Sequence, residues 1–489
     1  MAKTARDPRL RRRALIGTAA AAVPITAAIR YSDTASANDL VGAWGTPFDM
    51  GGVAIHATLM HTDEVLFFQY VEGQAGVDRT SYVATWNWKT GQLRPANFTD
   101  PRDMFCAAHN VLPDGRVFIA GGHDPNTGKK QDAIGVVECD VFDPVSRTWT
   151  RVAPMKQKRW YPTSVGLENG RVLIFGGTSS PGVSSTTVEE YDPATNTMRT
   201  LPSTANKSVG QYPRLFLLAN GKVLNGGPAA TSTLFDPATN RWANVAGMIS
   251  GKRSHGAVAL LPGAMQIVTA GGGAPVRTAE LLDMSQATPR WRSTGSMTYA
   301  RMLSEPVVLP DGKVFVIGGG AAFKYTRPVK IPEMYDPATG TWTAMAAHQA
   351  SRMYHATALL LPDGRVLSAG QDNGSLARYG EIYSPPYLFK GARPVISSSP
   401  TTATRGGQLV FSSADAASLT RVVLIRPGST THEIDTNQRS VPLTFTVSGS
   451  DVTAQVPSTP AALLPPGYYM LFAVNSAGVP SVAPWIKIV

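Results

Sequence analysis

The sequence predicts an all-β protein in which a seven-bladed β-propeller is followed by a small β-sandwich. The first observation behind this prediction is a unit of about fifty residues that recurs along most of the chain. The second is composition: 46 glycines and 37 prolines among 489 residues, with only 16% charged residues, are typical of a turn-rich β protein. The third is that the repeat stops near residue 390, while short strand-like segments continue to the end of the chain.

Each repeat contains a hairpin turn of the Asp-Gly or Asn-Gly type, followed by a short apolar strand that ends in Gly-Gly. These dipeptides favour hairpins because type I′ turns need residues with positive φ. Five clear copies begin at Asp114-Gly115, Asn169-Gly170, Asn220-Gly221, Asp311-Gly312 and Asp363-Gly364, and two drifted copies lie at Thr62-Asp63 and Pro262-Gly263. The period and the Gly-Gly ending are typical of kelch repeats, in which each repeat forms one four-stranded blade. We therefore expect a kelch-type propeller over residues 38–390.

Residues 391–489 have a different pattern. Short alternating segments, such as Arg421–Ile425 and Tyr468–Ala473, are separated by turns rich in Gly and Pro. This pattern predicts an Ig-like β-sandwich over the last hundred or so residues.

The first 37 residues have the layout of a signal peptide. A basic segment ends in Arg11-Arg12-Arg13, an apolar stretch runs from Ala14 to Ala28, and Ala35-Ser36-Ala37 offers a cleavage site. The paired arginines resemble a twin-arginine signal, while an ordinary signal or an uncleaved anchor remains an alternative. We expect a secreted or extracytoplasmic protein, including one associated with the cell envelope, with no stable membrane span after cleavage.

Charge and cysteine content exclude some classes and leave others open. Much of the net charge of +11 lies in the leader, and no Lys/Arg run follows it, which argues against a nucleic-acid partner. No dinucleotide-binding Gly pattern is present. The two cysteines, Cys106 and Cys139, could form one disulfide or remain two unrelated thiols.

A few residues depart from the repeat at equivalent places, just before an inner strand. They are Cys106, Tyr161 and the pair Tyr354-His355. We expect all of them at one end of the innermost strands, facing the propeller axis, so that they meet although they are far apart in sequence. His432 lies in a polar loop of the predicted sandwich. Two imidazoles with phenolates form a donor set suited to Cu(II), although each residue alone is more often structural.

The motifs around these residues occur in a specific order. Phe105-Cys106 is followed by Arg-x-Tyr at Tyr161, by Arg-x-Tyr-His at His355, by Tyr-Ser-Pro-Pro-Tyr-Leu-Phe from Tyr383, and by Thr431-His432-Glu433-Ile434-Asp435-Thr436-Asn437-Gln438-Arg439. In this order the chain resembles the galactose oxidase and glyoxal oxidase family of copper radical oxidases. The resemblance covers essentially everything after the leader.

The resemblance implies an exported enzyme with one copper ion and a cross-linked radical cofactor. Cys106 would be thioether-bonded to Tyr161 as 3′-(S-cysteinyl)-tyrosine, and Tyr161 would be both ligand and radical carrier. Tyr354 would be the axial ligand and proton acceptor, and His355 and His432 the imidazole ligands. Cys139 would then be a lone buried thiol. The implied reaction oxidises a small aldehyde or a primary alcohol, including a glycan terminus, and reduces O₂ to H₂O₂ without a flavin.

The chain also departs from galactose oxidase. The segment Gly176-Gly177-Thr178-Ser179-Ser180 lacks the Trp that stacks on the cross-linked Tyr there, and Trp160 is a candidate replacement, with simple packing as the alternative. The segment from Gln211 to Phe216 is more similar to glyoxal oxidases than to the galactose-binding segment. Arg159 and Arg352 could attract an anionic substrate or could be paired within the blades. Galactose is therefore not the substrate that we expect first.

Two other classes of function compete with the oxidase. A kelch propeller can be a non-catalytic binding or structural module, because fold does not fix function. A sialidase-type glycosidase would need an acid pair and an arginine cluster at the axis, which the repeat positions do not supply. The substrate, the export route and the oligomeric state are not fixed by the sequence.

Overall fold

The computed structural model describes residues 34–71, 81–99, 103–124 and 134–489. Contacts divide the chain into two units, Met1–Thr34 and Ala35–Val489, and every strand belongs to the second unit. The predicted leader, residues 1–37, lies outside the described residues up to position 33, and the helix α1 (Thr34–Val41) includes its last four residues. No helix within the described ranges is both long and apolar enough to cross a membrane.

The bounds of the strands follow in chain order. The first six are β1 (Ala43–Trp44), β2 (Phe48–Asp49), β3 (His56–Leu59), β4 (Glu64–Val71), β5 (Ser81–Asn87) and β6 (Leu93–Pro95). The next ten are β7 (Ala108–Val111), β8 (Val117–Ala120), β9 (Cys139–Asp143), β10 (Thr148–Val152), β11 (Thr163–Gly166), β12 (Val172–Phe175), β13 (Thr178–Ser180), β14 (Val183–Ser184), β15 (Glu189–Asp192) and β16 (Thr197–Thr200). Then come β17 (Leu215–Leu217), β18 (Val223–Asn225), β19 (Thr231–Asp236), β20 (Arg241–Gly247), β21 (Ala257–Leu260), β22 (Gln266–Ala270), β23 (Ala279–Asp283) and β24 (Trp291–Thr294). The last strands of the repeat region are β25 (Met302–Val308), β26 (Val314–Gly320), β27 (Glu333–Asp336), β28 (Thr341–Ala344), β29 (Ala356–Leu360), β30 (Val366–Gly370) and β31 (Tyr379–Ser384).

The C-terminal region contributes ten further strands. They are β32 (Thr402–Ala403), β33 (Gln408–Ser412), β34 (Leu419–Arg426), β35 (Ser429–Thr431), β36 (Ile434–Asp435), β37 (Arg439–Leu443), β38 (Phe445–Ser448), β39 (Asp451–Gln455), β40 (Gly467–Asn475) and β41 (Trp485–Ile488). Short 3₁₀-helices lie at Ser203–Ala205, Pro386–Phe389, Ala416–Ser418 and Ala461–Leu463.

In the repeat region the described strands form seven antiparallel sheets, apart from the small hairpin β13–β14. The sheets start with strands β3, β7, β11, β17, β21, β25 and β29 on their inner edges, and several of these inner strands pack directly against their neighbours. Each sheet is one repeat of the sequence. The predicted fold class, a kelch-type propeller followed by a β-sandwich, is confirmed.

The last sheet of the propeller is completed by the start of the chain. Strands β1 and β2 both pair with β31, with Ala43 opposite Ser384 and Phe48 opposite Gly380. Joining the first strands to the last sheet closes the ring of sheets without a covalent link.

The Gly-Gly endings allow each sheet to approach the loop that precedes the next inner strand. At Gly177, with φ of +81°, an added Cβ would lie 2.6 Å from the carbonyl oxygen of Trp160. At Gly370, with φ of +80°, it would collide with the carbonyl of His355. Only glycine avoids both the backbone clash and the strain of positive φ, so these residues position the loops that carry the site.

Buried ion pairs anchor the loops that precede the inner strands β11 and β29. Arg159 pairs with Glu189 at 2.9 Å and Arg352 pairs with Glu381 at 3.1 Å, and both arginines are almost completely buried. Their guanidinium groups also donate to the carbonyls of neighbouring strands. Neither arginine can therefore attract a substrate, and the alternative of pairing within the blade is the one that the structure shows.

The C-terminal region packs two sheets over an apolar core and sends one hairpin into the propeller. The sheet orders are β32-β41-β40-β34-β37 and β33-β39-β38. The hairpin β35–β36 instead adds to the inner edge of β3, with Thr430 opposite Ala57, and lies among the inner strands of other sheets. His432 occupies the tip of this hairpin, which explains how a residue of the sandwich region reaches the propeller.

Candidate metal centre

The loops that precede the inner strands share an unusual backbone conformation. Cys106, Tyr161 and His355 have φ of 60°, 61° and 68°. This left-handed region is uncommon for residues other than glycine and costs free energy, so it persists where the surrounding structure enforces it, as at many functional sites. The same conformation recurs before inner strands at Tyr212 and His255 and at the start of one at Leu303.

The structure brings together all five residues that the sequence singles out: Cys106, Tyr161, Tyr354, His355 and His432. The phenol oxygens of Tyr161 and Tyr354 lie 2.7 Å apart. The Sγ atom of Cys106 is 3.7 Å from Nε2 of His432, and the rings of the two histidines are 4.5 Å apart. Cys106, His355 and His432 each direct one donor atom into a space where these atoms lie within 4.8 Å of one another.

Polar contacts on the outer side orient the two imidazoles. Nδ1 of His355 lies 2.9 Å from a carboxylate oxygen of Asp372, whose other oxygen accepts a hydrogen bond from Tyr325. Nδ1 of His432 is 2.6 Å from the hydroxyl of Thr431. Both contacts engage Nδ1, which leaves Nε2 of each ring for the interior of the cluster. An outer partner of this kind fixes the tautomer and the orientation of a metal-ligating histidine.

Cys106 is placed next to Tyr161 by backbone contacts. The amide of Tyr161 donates to the carbonyl of Cys106 at 2.9 Å, and the amide of Cys106 donates to Nε2 of His56 at 3.0 Å. The thiol and the Tyr161 ring belong to the same buried cluster. Cys139 is buried in a different cluster, so the two cysteines form no disulfide with each other.

Burial disfavours the charged forms of four of these five groups. Burial raises the pKa of Cys106 and of Tyr161 well above their ordinary values, and it also raises the pKa of Tyr354. Burial lowers the pKa of His432 well below its ordinary value, with His355 adding to the effect. Two phenols and a thiol could ionise here only with a positive charge between them.

The donor set fits a copper ion. Nε2 of His355 is buried and has no hydrogen-bond partner among the described residues, which is costly unless a cation occupies the space beside it. Imidazole nitrogens and phenol oxygens suit copper better than the harder cations, which prefer carboxylates and water.

A pocket of about 490 Å³ opens onto this cluster. Its walls include Tyr161, Tyr354 and His432, together with Trp160 and Phe323. The ring of Trp160 lies 4.2 Å from that of Tyr161 at an interplanar angle of 57°, so it is tilted over the phenol and not parallel to it. A small substrate in this pocket would lie directly against the two phenols.

Several polar residues of this pocket were missed by the sequence analysis. His255 lines the pocket, and its Nδ1 lies 3.4 Å from Oε2 of Glu433, which also accepts a hydrogen bond from Arg214 at 3.0 Å. The backbone amide of Glu433 donates to Glu305 at 2.9 Å. One signal could have found His255: Arg253-Ser254-His255 repeats the Arg-x-Tyr spacing of Tyr161.

The two buried carboxyl groups behind the pocket hold one negative charge between them. Burial raises the pKa of Glu305 well above its ordinary value, and the charge of Glu433 adds to this shift. Burial also acts to raise the pKa of Glu433, but the hydrogen bond from His255 and the charge of Arg214 outweigh it, so its pKa is lowered. Glu433 is therefore the anionic member of the pair.

Family models match three parts of the chain. Residues 393–488 match the galactose oxidase-like early set domain, residues 264–386 match the glyoxal oxidase N-terminus, and residues 104–156 and 159–204 match the kelch motif.

Known proteins resemble the chain over most of its length. A galactose oxidase of Gibberella zeae is 30% identical over 92% of this chain and 71% of its own length. An aldehyde oxidase GLOX of Vitis pseudoreticulata is 29% identical over 82% of this chain and 84% of its own. A solved structure, described as a fungal alcohol oxidase of the AA5 family in complex with copper, superposes with a TM-score of 0.80 at 28% identity, covering 92% and 99% of the two chains.

The fold and the donor set together define a copper radical oxidase. At this level of identity and coverage the relationship is one of descent, and the chain belongs to the galactose oxidase family.

Proposed function

We propose that this protein is an exported copper radical oxidase that oxidises a primary alcohol or a hydrated small aldehyde and reduces O₂ to H₂O₂. The observation that carries the proposal is the pair of phenols, Tyr161 and Tyr354, with oxygens 2.7 Å apart beside two imidazoles and a thiol at the base of an open pocket. The organic redox cofactor is a thioether between Cys106 and Tyr161.

Tyr161, Tyr354, His355 and His432 would hold the copper ion, which would supply one of the two electron-accepting centres. With the ion bound, Tyr354 would be a phenolate and would accept the hydroxyl proton of the substrate, since its oxygen faces Tyr161 and the residue lines the pocket. Tyr161, oxidised to a radical, would take a hydrogen atom from the substrate carbon. The Asp372 and Thr431 contacts hold the imidazoles in the orientation that this geometry needs.

Trp160 is the residue that shields the radical on Tyr161. Its ring is 4.2 Å from the phenol ring and forms part of the pocket wall. It would thus replace the stacking Trp that the segment after Gly177 lacks. An indole at this distance also lowers the water content around the phenol.

Residues 1–37 are proposed to direct export, so that the enzyme acts outside the cytoplasm, where O₂ and extracellular aldehydes or glycans are available. The layout of Arg11-Arg12-Arg13 and the apolar stretch after it supports a signal peptide. Detection of a mature N-terminus at Asn38 in the culture medium tests this part of the proposal, and retention of the full-length chain in the cytoplasm would contradict it.

The proposal is tested by loading the purified protein with copper in air and recording gel mobility and the oxidised optical spectrum. The wild type should run as a compact, faster band and show radical absorption, because the thioether joins positions 55 residues apart in the sequence. Cys106→Ser should lose both, and Cys139→Ser is the matched control, since Cys139 is equally buried in another cluster. A wild-type band that matches Cys106→Ser, without radical absorption, would leave a non-catalytic propeller as the better interpretation.

A further inference from the structure

His255 occupies a position in the pocket that the proposed chemistry leaves unexplained. It has the same left-handed backbone conformation as Cys106, Tyr161 and His355, with φ of 56°, and it precedes an inner strand in the same way. Its ring centroid lies 6.3 Å from that of Tyr354, and about one third of its side chain is exposed. It is therefore close enough to touch a substrate and too far away to be a ligand of the centre.

The groups behind His255 fix which nitrogen it presents. Nδ1 faces Oε2 of Glu433, which also accepts a hydrogen bond from Arg214, and the backbone amide of Glu433 donates to Glu305. With Nδ1 engaged by this carboxylate, Nε2 is the nitrogen left for a hydroxyl in the pocket.

Two charged groups near the pocket are already engaged or lie at its rim. The guanidinium of Arg214 is 4% exposed as a residue and donates to the carbonyl of Tyr212 and to Glu433, so it cannot reach a substrate. Lys252 lines the pocket but is exposed to solvent. Phe323, 46% exposed, lies 5.0 Å from the His255 ring and 5.8 Å from the Tyr354 ring and forms an apolar wall between them.

We propose that His255 is a specificity residue that forms a hydrogen bond with a hydroxyl on the carbon next to the reacting carbon. The substrates it selects are hydroxyaldehydes and polyols, including the terminal CHOH–CH₂OH unit of a sugar derivative, with their C–H face against Phe323. The His255 and Tyr354 rings are neighbours in the same pocket, so one small substrate can contact both. This inference rests on the proposed oxidase function and adds the substrate class to it.

The test compares matched substrates that differ by one hydroxyl, glycolaldehyde with acetaldehyde and 1,2-propanediol with 1-propanol. Peroxide release by the copper-loaded enzyme gives kcat/KM for each. Wild type should prefer the hydroxylated member of each pair. His255→Leu should reduce that preference about tenfold, the equivalent of one lost hydrogen bond of ~1.4 kcal/mol, and should leave kcat/KM for acetaldehyde and 1-propanol little changed.

Two further variants separate specificity from structure. His255→Gln retains an acceptor and should restore part of the preference, whereas Lys252→Met, at the rim of the same pocket, should leave the preference at the wild-type value. Ligand-observed NMR of glycerol with the copper-free chain adds a binding readout that needs no turnover, and the saturation-transfer signal should fall in His255→Leu.

An unchanged preference in His255→Leu would overturn the inference, as would an equal loss for both members of each pair or a wild-type preference for the unsubstituted member. The gel shift and radical spectrum, recorded on the same samples, distinguish this failure from failure of the oxidase proposal. If the gel shift and the radical spectrum are present, and the preference or the NMR signal is unchanged in His255→Leu, only the substrate assignment is wrong. If they are absent in the wild type, the oxidase proposal fails as well.

Discussion

Replacing Asp372 by Asn should weaken copper binding without removing any ligand. The carboxylate lies 2.9 Å from Nδ1 of His355 and is only 14% exposed, so solvent screens this contact weakly. Hydrogen bonds to charged groups contribute about 1.5–3 kcal/mol, roughly twice the value for neutral ones. Because Asn offers an oxygen at the same place but carries no charge, the loss should be about 1.4 kcal/mol, or tenfold in Kd.

The assay is competition for Cu(II) against a chromophoric chelator, with the wild type, Asp372→Asn and Asp372→Ala compared. The Ala variant removes the acceptor altogether and should weaken binding by up to about 100-fold, the upper range for loss of an outer partner of a metal-ligating histidine. Tyr325→Phe is the matched control, because it removes the hydrogen bond on the other carboxylate oxygen and leaves the His355 contact in place. Equal copper affinity in all four proteins would refute the idea that Asp372 orients His355.

The remaining predictions concern stability and the radical. Arg159→Met should destabilise the fold by about 3–5 kcal/mol in urea unfolding, since it leaves the carboxylate of Glu189 buried without its partner. Arg199→Met removes an exposed arginine from Glu190, which keeps Arg171, and should cost less than about 1 kcal/mol; equal effects would contradict this reasoning. Burial lowers the pKa of His348 from 6.5 to about 3, so between these values the unfolded chain binds a proton that the folded chain does not. Stability should therefore fall as the pH drops below 6.5, by about 1.4 kcal/mol per pH unit for this histidine, and His348→Gln should flatten part of that slope in thermal melts. Trp160→Phe should shorten the lifetime of the radical absorption while leaving the gel shift intact; an unchanged lifetime would remove Trp160 from the shielding role.

The repeat made the fold and most of the site predictable from the sequence. Gly-Gly endings and Asp-Gly turns recur because each sheet passes closely over the loop of the next. The pattern therefore predicts how neighbouring sheets are arranged as well as where the strands lie. Within that frame Cys106, Tyr161 and His355 differ from their equivalents in other repeats, and equivalent positions in a ring of sheets lie near one axis. That reasoning needs only the sequence and the symmetry of the repeat.

Other parts of the site could not be derived in this way. His432 lies on a hairpin of the C-terminal region that pairs with Ala57 and Thr58 of an inner strand. No local sequence pattern predicts a pairing over such a distance in the chain. Its assignment came from the resemblance alone. From the sequence, Arg159 could contact a substrate, because a sequence does not show that a side chain is buried. In the structure its partner is Glu189, thirty residues further along the chain. His255 was overlooked because its partner Glu433 is also distant in sequence.

The claim on which this account depends most is the bond between Cys106 and Tyr161, and peptide mass mapping of copper-loaded protein tests it directly. Trypsin should release residues 103–116, which contain Cys106, and residues 160–171, which contain Tyr161, as separate peptides if the two are not joined. A thioether predicts one joined species, whose mass is the sum of both peptides less two hydrogen atoms. This species should survive reduction and should be absent from Cys106→Ser. Recovery of the two separate peptides in full, with a free thiol on Cys106 after copper loading in air, would contradict it.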